Sequence, residues 1–303
     1  MTTGHTAPNP AKQRIASTMG KARIFAEAMP FIKAFRGRKV VVKYGGSAMV
    51  DDALRDTFAD DIAMLHLVGI DVVIVHGGGP QISRAMADSG LEPQWVDGLR
   101  VTDAATLRVV QSTLAGEVNP DIVRLINVHG SLAAGLSGLD GNLFEAEPRD
   151  ERLGFVGEIV AVNAGILDGL SRQGFVPVVA PLARGRDGNA YNVNADTAAA
   201  ALASAIGAKK LIYLTDVEGL YRDLGDEDSL ISRLTVSELE DLLEAGSVSA
   251  GMLPKLRSCV AALRAGVERA HILDGRVQHC LLLEIFTPEG IGTMIVPDGE
   301  PAP

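Results

Sequence analysis

Val40-Val41-Val42 runs directly into Lys43-Tyr44-Gly45-Gly46-Ser47, and no other stretch limits the fold of this chain so tightly. A β-branched run suits a strand covered on both faces, as inside a parallel sheet flanked by helices. Two glycines just after such a strand put no Cβ in the way, so backbone N–H groups can meet phosphate or carboxylate oxygens. Lys43 adds a mobile positive charge at the strand's carboxyl end. The same residues would also make a plain strand-to-helix turn with a solvated lysine.

A second copy of the pattern follows, in which Val72-Val73-Ile74-Val75 enters His76-Gly77-Gly78-Gly79-Pro80 and then a helical stretch. Between the two, Leu54, Phe58, Ile62, Leu65 and Val68 step along one helix face, and Gly69 supplies a stop. The unit is strand, helix, strand. Right-handed crossovers place both strands in one largely parallel sheet, with the two glycine turns at the same edge, where open α/β sheets bind ligands. Neither turn is a Walker loop or a G-x-G-x-x-G fingerprint. A shared cradle for a polyanion is the expectation.

With 303 residues, 47% apolar and 22% charged, the chain is long enough for one large sheet or two lobes. A formal charge of −10 argues against a broad nucleic-acid face and leaves anion binding to local groups such as Lys43 and Lys255. Two cysteines, Cys259 and Cys280, lack metal-ligand spacing and fit a reducing cytoplasm. None of the six histidines pairs at metal-binding spacing. With neither a membrane-length apolar run nor a signal-peptide layout, the expectation is a soluble, unexported protein.

Residues 1–9 have the composition of a disordered tail, and from Ala11 a helix is expected, with Ile15, Met19, Ile24, Ala28 and Phe31 at mixed helical spacing. It could pack on its own domain or dock on another subunit. Further helices are expected over 107–115 and 120–127, a hairpin or loop over 135–144, and short strands at 155–160 and 176–181. Polar, glycine-rich 184–189 marks a boundary between lobes. Beyond it the pattern predicts helices over 195–206, 236–245 and 256–263, and strands at 211–214, 271–273, 280–286 and 294–296.

In Asn192-Val193-Asn194-Ala195-Asp196 three polar side chains alternate ahead of an alanine-rich helix. One would suffice for a cap; three on one side of an extended segment favour a site, the asparagines donating and Asp196 orienting lysine ammonium groups. Gly251-Met252-Leu253-Pro254-Lys255 opens another helix, and a lysine at that positive end is explained by a nearby anion. Its bland alternative is a solvated surface lysine. Arg100, in Gly98-Leu99-Arg100-Val101-Thr102, could grip a carboxylate bidentately or lie on the surface. Thr215-Asp216-Val217-Glu218-Gly219-Leu220 leaves a buried strand in the manner of a nucleotide pocket, or of a simple turn.

Taken in order, these six motifs resemble the amino-acid kinase superfamily, and within it the N-acetylglutamate kinases, over about Phe25 to Val296. The resemblance implies an α/β fold, a three-layer αβα sandwich with a central, mostly parallel sheet. Its implied activity is phosphorylation of the γ-carboxylate of N-acetyl-L-glutamate by ATP with Mg²⁺, the second step of arginine synthesis. Lys43 and Lys255 would neutralise the transferring phosphoryl group, Asp196 would hold both lysines, and N–H groups around Gly46 and Gly78 would receive its oxygens. Gly78, Gly79, Arg100, Asn192 and Asn194 would bind acetylglutamate. Thr215, Asp216, Val217, Gly219, Leu220, Ser247, Ser249 and Met252 would line the nucleotide, and the metal would be held by phosphates and water rather than by protein ligands.

Arginine-inhibited members of the family resemble this chain in two further places, the N-terminal helix and a C-terminal segment with His271, Glu284 and Gly290. Feedback inhibition by L-arginine and a hexamer built as a trimer of dimers are therefore implied, in the cytoplasm, with no nucleic-acid or membrane partner. The implied organisation is a tail and oligomerisation helix (1–36), an acetylglutamate lobe (37–185), and an ATP lobe with the arginine segment (186–303). Leu139 departs from the lysine or acidic residue usual at its place in Gly138-Leu139-Asp140-Gly141, outside the catalytic motifs. Rival readings are a kinase for carrier-linked aminoadipate, glutamate or aspartate, or a non-catalytic arginine or nucleotide sensor.

Overall fold

The structure is a computed structural model that describes residues 10–223, 225–246, 248–249, 251–288 and 290–299. Its centre is an eight-stranded sheet. In chain order the strands are β1 (Lys39–Tyr44), β2 (Asp71–His76), β3 (Ala133–Ser137), β4 (Val176–Ala180), β5 (Lys210–Thr215), β6 (Arg233–Thr235), β7 (Arg269–Asp274) and β8 (Thr293–Val296). They lie side by side as β6-β8-β7-β5-β1-β2-β4-β3. Every neighbouring pair is parallel except β7 with β8.

Side-chain alternation along these strands makes two cores. Val40, Val42, Val72, Ile74, Ile212 and Leu214 face one side, with α2 (Asp52–Leu67), α5 (Asn119–Ile126) and α10 (Cys280–Phe286). Val41, Val73, Val75, Leu211 and Tyr213 face the other, with α6 (Gly165–Arg172), α7 (Ala195–Ala205), α8 (Val236–Glu244) and α9 (Leu253–Arg264). Burial on both faces is what the unbroken β-branched runs require, and the result is the expected αβα sandwich. A smaller core joins α3 (Gly79–Asp88) to α4 (Ala104–Thr113). A four-stranded sheet of Phe144–Pro148, Gly157–Val162, Leu182–Gly185 and Ala190–Asn192 leads the chain into α7. The N-terminal helix α1 spans Pro10–Phe35, and Phe31 and Phe35 anchor its end on the first core.

Two expectations fail. Residues 280–286 form helix α10 and not a strand: Cys280, Leu281, Glu284 and Ile285 are buried, a helical face. A short apolar run is compatible with either state, and only tertiary contacts decide. Residues 135–144, expected to be a hairpin or loop, contribute three of the five residues of β3 at the sheet's edge before the chain turns. Gly135 hid that strand, and it is there for space, since a Cβ would lie 2.1 Å from Asn119 Oδ1 on α5.

Candidate active site

Strands β1 and β2 pair in register from Lys39 with Asp71 to Tyr44 with His76, so the two glycine turns leave the sheet side by side. The Gly77 N–H donates to Tyr44 O at 2.8 Å across the gap. Next to them, β5 and β7 end together, with Gly275 N–H on Thr215 O at 2.8 Å. Four strand-end turns thus line one edge.

The side chains at this edge converge from three elements. Lys43 comes from β1, Asp196 from the first turn of α7, and Lys255 from the first turn of α9. Lys43 Nζ lies 3.0 Å from Asp196 Oδ1, and Lys255 Nζ lies 2.8 Å from Oδ2. Asn194 frees Asp196 for this work by capping α7, its Oδ1 accepting from the N–H groups of Asp196 and Thr197. Tyr213 from β5 lies beneath, its ring 4.9 Å from Lys255 Nζ and its hydroxyl donating to Asp196 O at 3.0 Å. Burial alone would raise the Asp196 pKa, but Lys43 and Lys255 outweigh it and bring it down to about 2. Burial lowers that of Lys255, against the pull of Asp196. Two ammonium groups on one carboxylate leave the cluster one charge positive, in a place where water screens little.

Glycine is needed at these turns for distinct reasons. A Cβ on Gly45 would lie 2.6 Å from Lys43 Nζ, so the lysine folds back over bare backbone. Gly46 has φ +71, and a Cβ there would lie 2.5 Å from Asp216 Oδ1. Gly78 faces the other way, where a Cβ would lie 2.5 Å from Leu114 Cδ2. Leu114 opens a π-helical turn, Leu114–Val118, an irregularity no sequence period announces. His76, fully buried, stays neutral: burial lowers its pKa to about 4. Its Nδ1 donates to Gly77 O at 2.8 Å, and its Nε2 accepts from Asn119 Nδ2 at 3.1 Å.

Arg100 is 6% exposed and, among the described residues, has no carboxylate partner. Nη2 donates to Ser83 Oγ at 2.9 Å and Gly79 O at 3.3 Å, and the guanidinium stacks 4.5 Å over Trp95. Its neighbour Thr102 donates to Arg100 O at 2.9 Å and accepts from Asn192 Nδ2 at 3.2 Å, which joins Arg100, Gly79 and Asn192 in one network. A buried guanidinium without an anion has the chemistry of a carboxylate receptor. Sequence reasoning missed Ser83, Trp95 and Thr102; Ser83, one turn into α3 from the glycines, was the findable one.

Beyond β5, Thr215 Oγ1 accepts from Val217 N–H at 3.1 Å and donates to Val217 O at 2.9 Å, and Asp216 Oδ1 accepts from Ser47 N–H at 2.6 Å. Gly219 and Leu220 lie against Thr293, whose Oγ1 accepts from Leu220 N–H at 2.8 Å. Ser249 O accepts from Met252 N–H at 2.9 Å just ahead of α9. Ser247 lies outside the described residues. Elsewhere, His271 on β7 stands 2.6 Å from Glu284 on α10, and Ile291 N–H donates to Glu284 Oε2 at 2.9 Å. A Cβ on Gly290, at φ +63, would lie 3.0 Å from the same oxygen. Burial works against the charge on Glu284, but His271, Ile291 and Lys210 together lower its pKa.

A sheet edge with glycine turns, two lysines on one carboxylate and a buried guanidinium that meets no carboxylate among the described residues make a place on an α/β scaffold that can hold anions. The chain belongs to the amino acid kinase family, whose model matches residues 38–274. Within it the chain stands with the acetylglutamate kinases. It is 52% identical over 277 residues to that of Nostoc punctiforme, covering 91% of this chain and 93% of the relative. To that of Frankia alni it is 51% identical, covering 96% and 87%. Among solved structures it is similar to N-acetylglutamate synthase from Neisseria gonorrhoeae. The complex of that synthase with coenzyme A and N-acetyl-glutamate has a TM-score of 0.81 and 30% identity, covering 92% of this chain and 64% of the synthase. Its complex with coenzyme A and L-arginine has a TM-score of 0.77 and 29% identity, covering 91% and 65%.

Proposed function

We propose that this chain phosphorylates the γ-carboxylate of N-acetyl-L-glutamate with ATP, giving N-acetyl-L-glutamyl 5-phosphate, the second step of arginine biosynthesis. The observation that carries it is the Lys43–Asp196–Lys255 cluster at the sheet edge, 3.0 and 2.8 Å between partners. Phosphoryl transfer asks little covalent chemistry of a protein, so positioning and charge stabilisation do the catalysis. Lys43 and Lys255 act on the phosphoryl group as charge moves between its two ends, and Asp196 keeps them apart and aimed. N–H groups of the turns at Gly46 and Gly78 receive its oxygens. Arg100 takes the α-carboxylate of acetylglutamate, and Asn192 and the amide of Asn194 donate to it, beside Gly78 and Gly79. Val217, Gly219, Leu220 and Met252 line the nucleotide together with Thr215, Ser247 and Ser249, and Asp216 stands beside them. Mg²⁺ fits as an ion held by the phosphates and water, since the carboxylate nearest the lysines is already taken by both; bound there, it would neutralise phosphate charge.

In this account residues 37–185 hold acetylglutamate and 186–303 hold ATP. Arginine inhibits through Glu284, whose carboxylate takes the ligand's cationic end beside His271 and Gly290. The chain assembles as a hexamer, a trimer of dimers, through α1. Support for that role is the exposure of Met19, Ile24, Phe25 and Met29, each more than 60% open, on a helix whose Phe31 and Phe35 pack on the first core. Among the described residues no helix is long and apolar enough to cross a membrane, and a cytoplasmic place suits a biosynthetic kinase. A coupled ADP-release assay with acetylglutamate, glutamate and aspartate tests the substrate. Turnover with acetylglutamate supports the proposal; turnover with glutamate alone refutes it.

A further inference from the structure

Asp216 sets a carboxylate against a turn suited to anions, where its like charge would repel a phosphate brought to the same turn unless that carboxylate performs a task. Its Oδ1 accepts the Ser47 N–H at 2.6 Å, a bond between residues 169 positions apart. We propose that Asp216 is a positioning residue, a brace that holds the Gly45-Gly46-Ser47 turn from the neighbouring strand end. This rests on the kinase reading above.

Both ends of the brace are fixed. Thr215 pins the backbone around Asp216 through its two bonds with Val217 at 3.1 and 2.9 Å, and Thr215 O is held by Gly275 N–H at 2.8 Å. Arg276, two-pronged on Asp274 at 2.8 Å each, ties down the end of β7 beside it. Across the gap Gly46 accommodates the carboxylate: at φ +71 it opens a space that a Cβ would fill to within 2.5 Å of Oδ1. Ala48, two residues on, sits where a Cβ on Gly275 would approach to 3.1 Å. Turns from β5 and β7 therefore both close on residues 46–48.

What the brace positions is the backbone under Lys43. Its ammonium folds over Gly45, within 2.6 Å of where a Cβ would be, so a shift of this turn moves the lysine and the N–H groups beside it together. Misplacement of reacting groups by about 1 Å costs on the order of 10²-fold in rate. Acetylglutamate binds through other turns, so its KM should hardly respond.

The test compares wild type, D216N and D216A by kcat, by KM for each substrate and by calorimetric ADP binding. The amide oxygen of D216N still accepts the Ser47 N–H, so its kcat should stay within about 5-fold of wild type. D216A should lose roughly 30- to 300-fold in kcat, with KM for acetylglutamate changed less than about 2-fold. A D216A enzyme with wild-type kcat, or one that binds ADP more tightly while turning over normally, overturns the brace and makes Asp216 a competitor of phosphate. If D216A does not fold, D216N decides alone: kcat below about 1% of wild type overturns the proposal, because the acceptor is kept and only charge is lost. A wild-type chain active on a different carboxylate refutes the substrate assignment only, and the same comparison is then read on that substrate.

Discussion

Lys255 and Asp196 stand 59 positions apart and meet at 2.8 Å because α7 and α9 both begin at the carboxyl edge of the sheet. The second carboxylate oxygen faces Lys43 at 3.0 Å. A single acid thus spaces two cations that would otherwise repel, an arrangement the proposed phosphoryl transfer needs.

Lys255→Ala should therefore lower kcat by roughly 10²- to 10⁴-fold, about 3–5 kcal/mol of transition-state stabilisation, and raise KM far less. Steady-state kinetics read this directly. Unchanged turnover would remove Lys255 from the mechanism.

Arg100→Lys should raise KM for acetylglutamate about 10- to 100-fold and leave KM for ATP nearly unaltered. Lysine keeps the charge but loses the planar fork that reaches Ser83 and Gly79 and stacks on Trp95. Equal effects on both substrates would contradict the assignment of this pocket.

Stability should fall as pH drops from about 6.5 to 4. The His76 pKa is lowered by burial to about 4, so in this window the unfolded chain binds a proton that the folded one refuses; its stabilisation is present above the unfolded pKa and lost below it. His271, lowered by burial to about 4, acts in the same direction. Asp61, raised by burial to about 6, opposes them between about pH 4 and 6, leaving a net loss of a few kcal/mol. Urea titrations at pH 7.5 and 5.0 measure it; equal midpoints would mean that these imidazoles are not held neutral.

Much of this was legible in the chain. The β-branched runs, the glycines after them and the step of the α2 face were enough to place two strands and two turns at one edge, because burial on both faces leaves a plain mark in sequence. Lys43, Asp196 and Lys255 were legible as oddities, a lysine at a positive helix end and more polar groups than a cap needs. Contacts made by long-range packing were not: the strand hidden by Gly135, the π-helical turn against Gly78, the helix at 280–286 and the Ser47–Asp216 bond depend on partners far away in the chain. Asn194 shows the limit of counting polar residues, since its side-chain oxygen is spent on the α7 cap.

Deleting residues 1–35 should convert the proposed hexamer to a dimer and weaken the proposed inhibition by arginine. Light scattering and inhibition curves report the two effects separately. A hexamer that survives the deletion would contradict the role given to α1.

The central claim is transfer of phosphate to a carboxylate between Lys43 and Lys255, and trapping the acyl phosphate with hydroxylamine tests it most directly. With ATP and N-acetyl-L-glutamate the wild type should form the γ-hydroxamate, and Lys255→Ala should form at least about 100-fold less per unit time. Hydroxamate from free glutamate and none from acetylglutamate, or equal rates from wild type and variant, would contradict it.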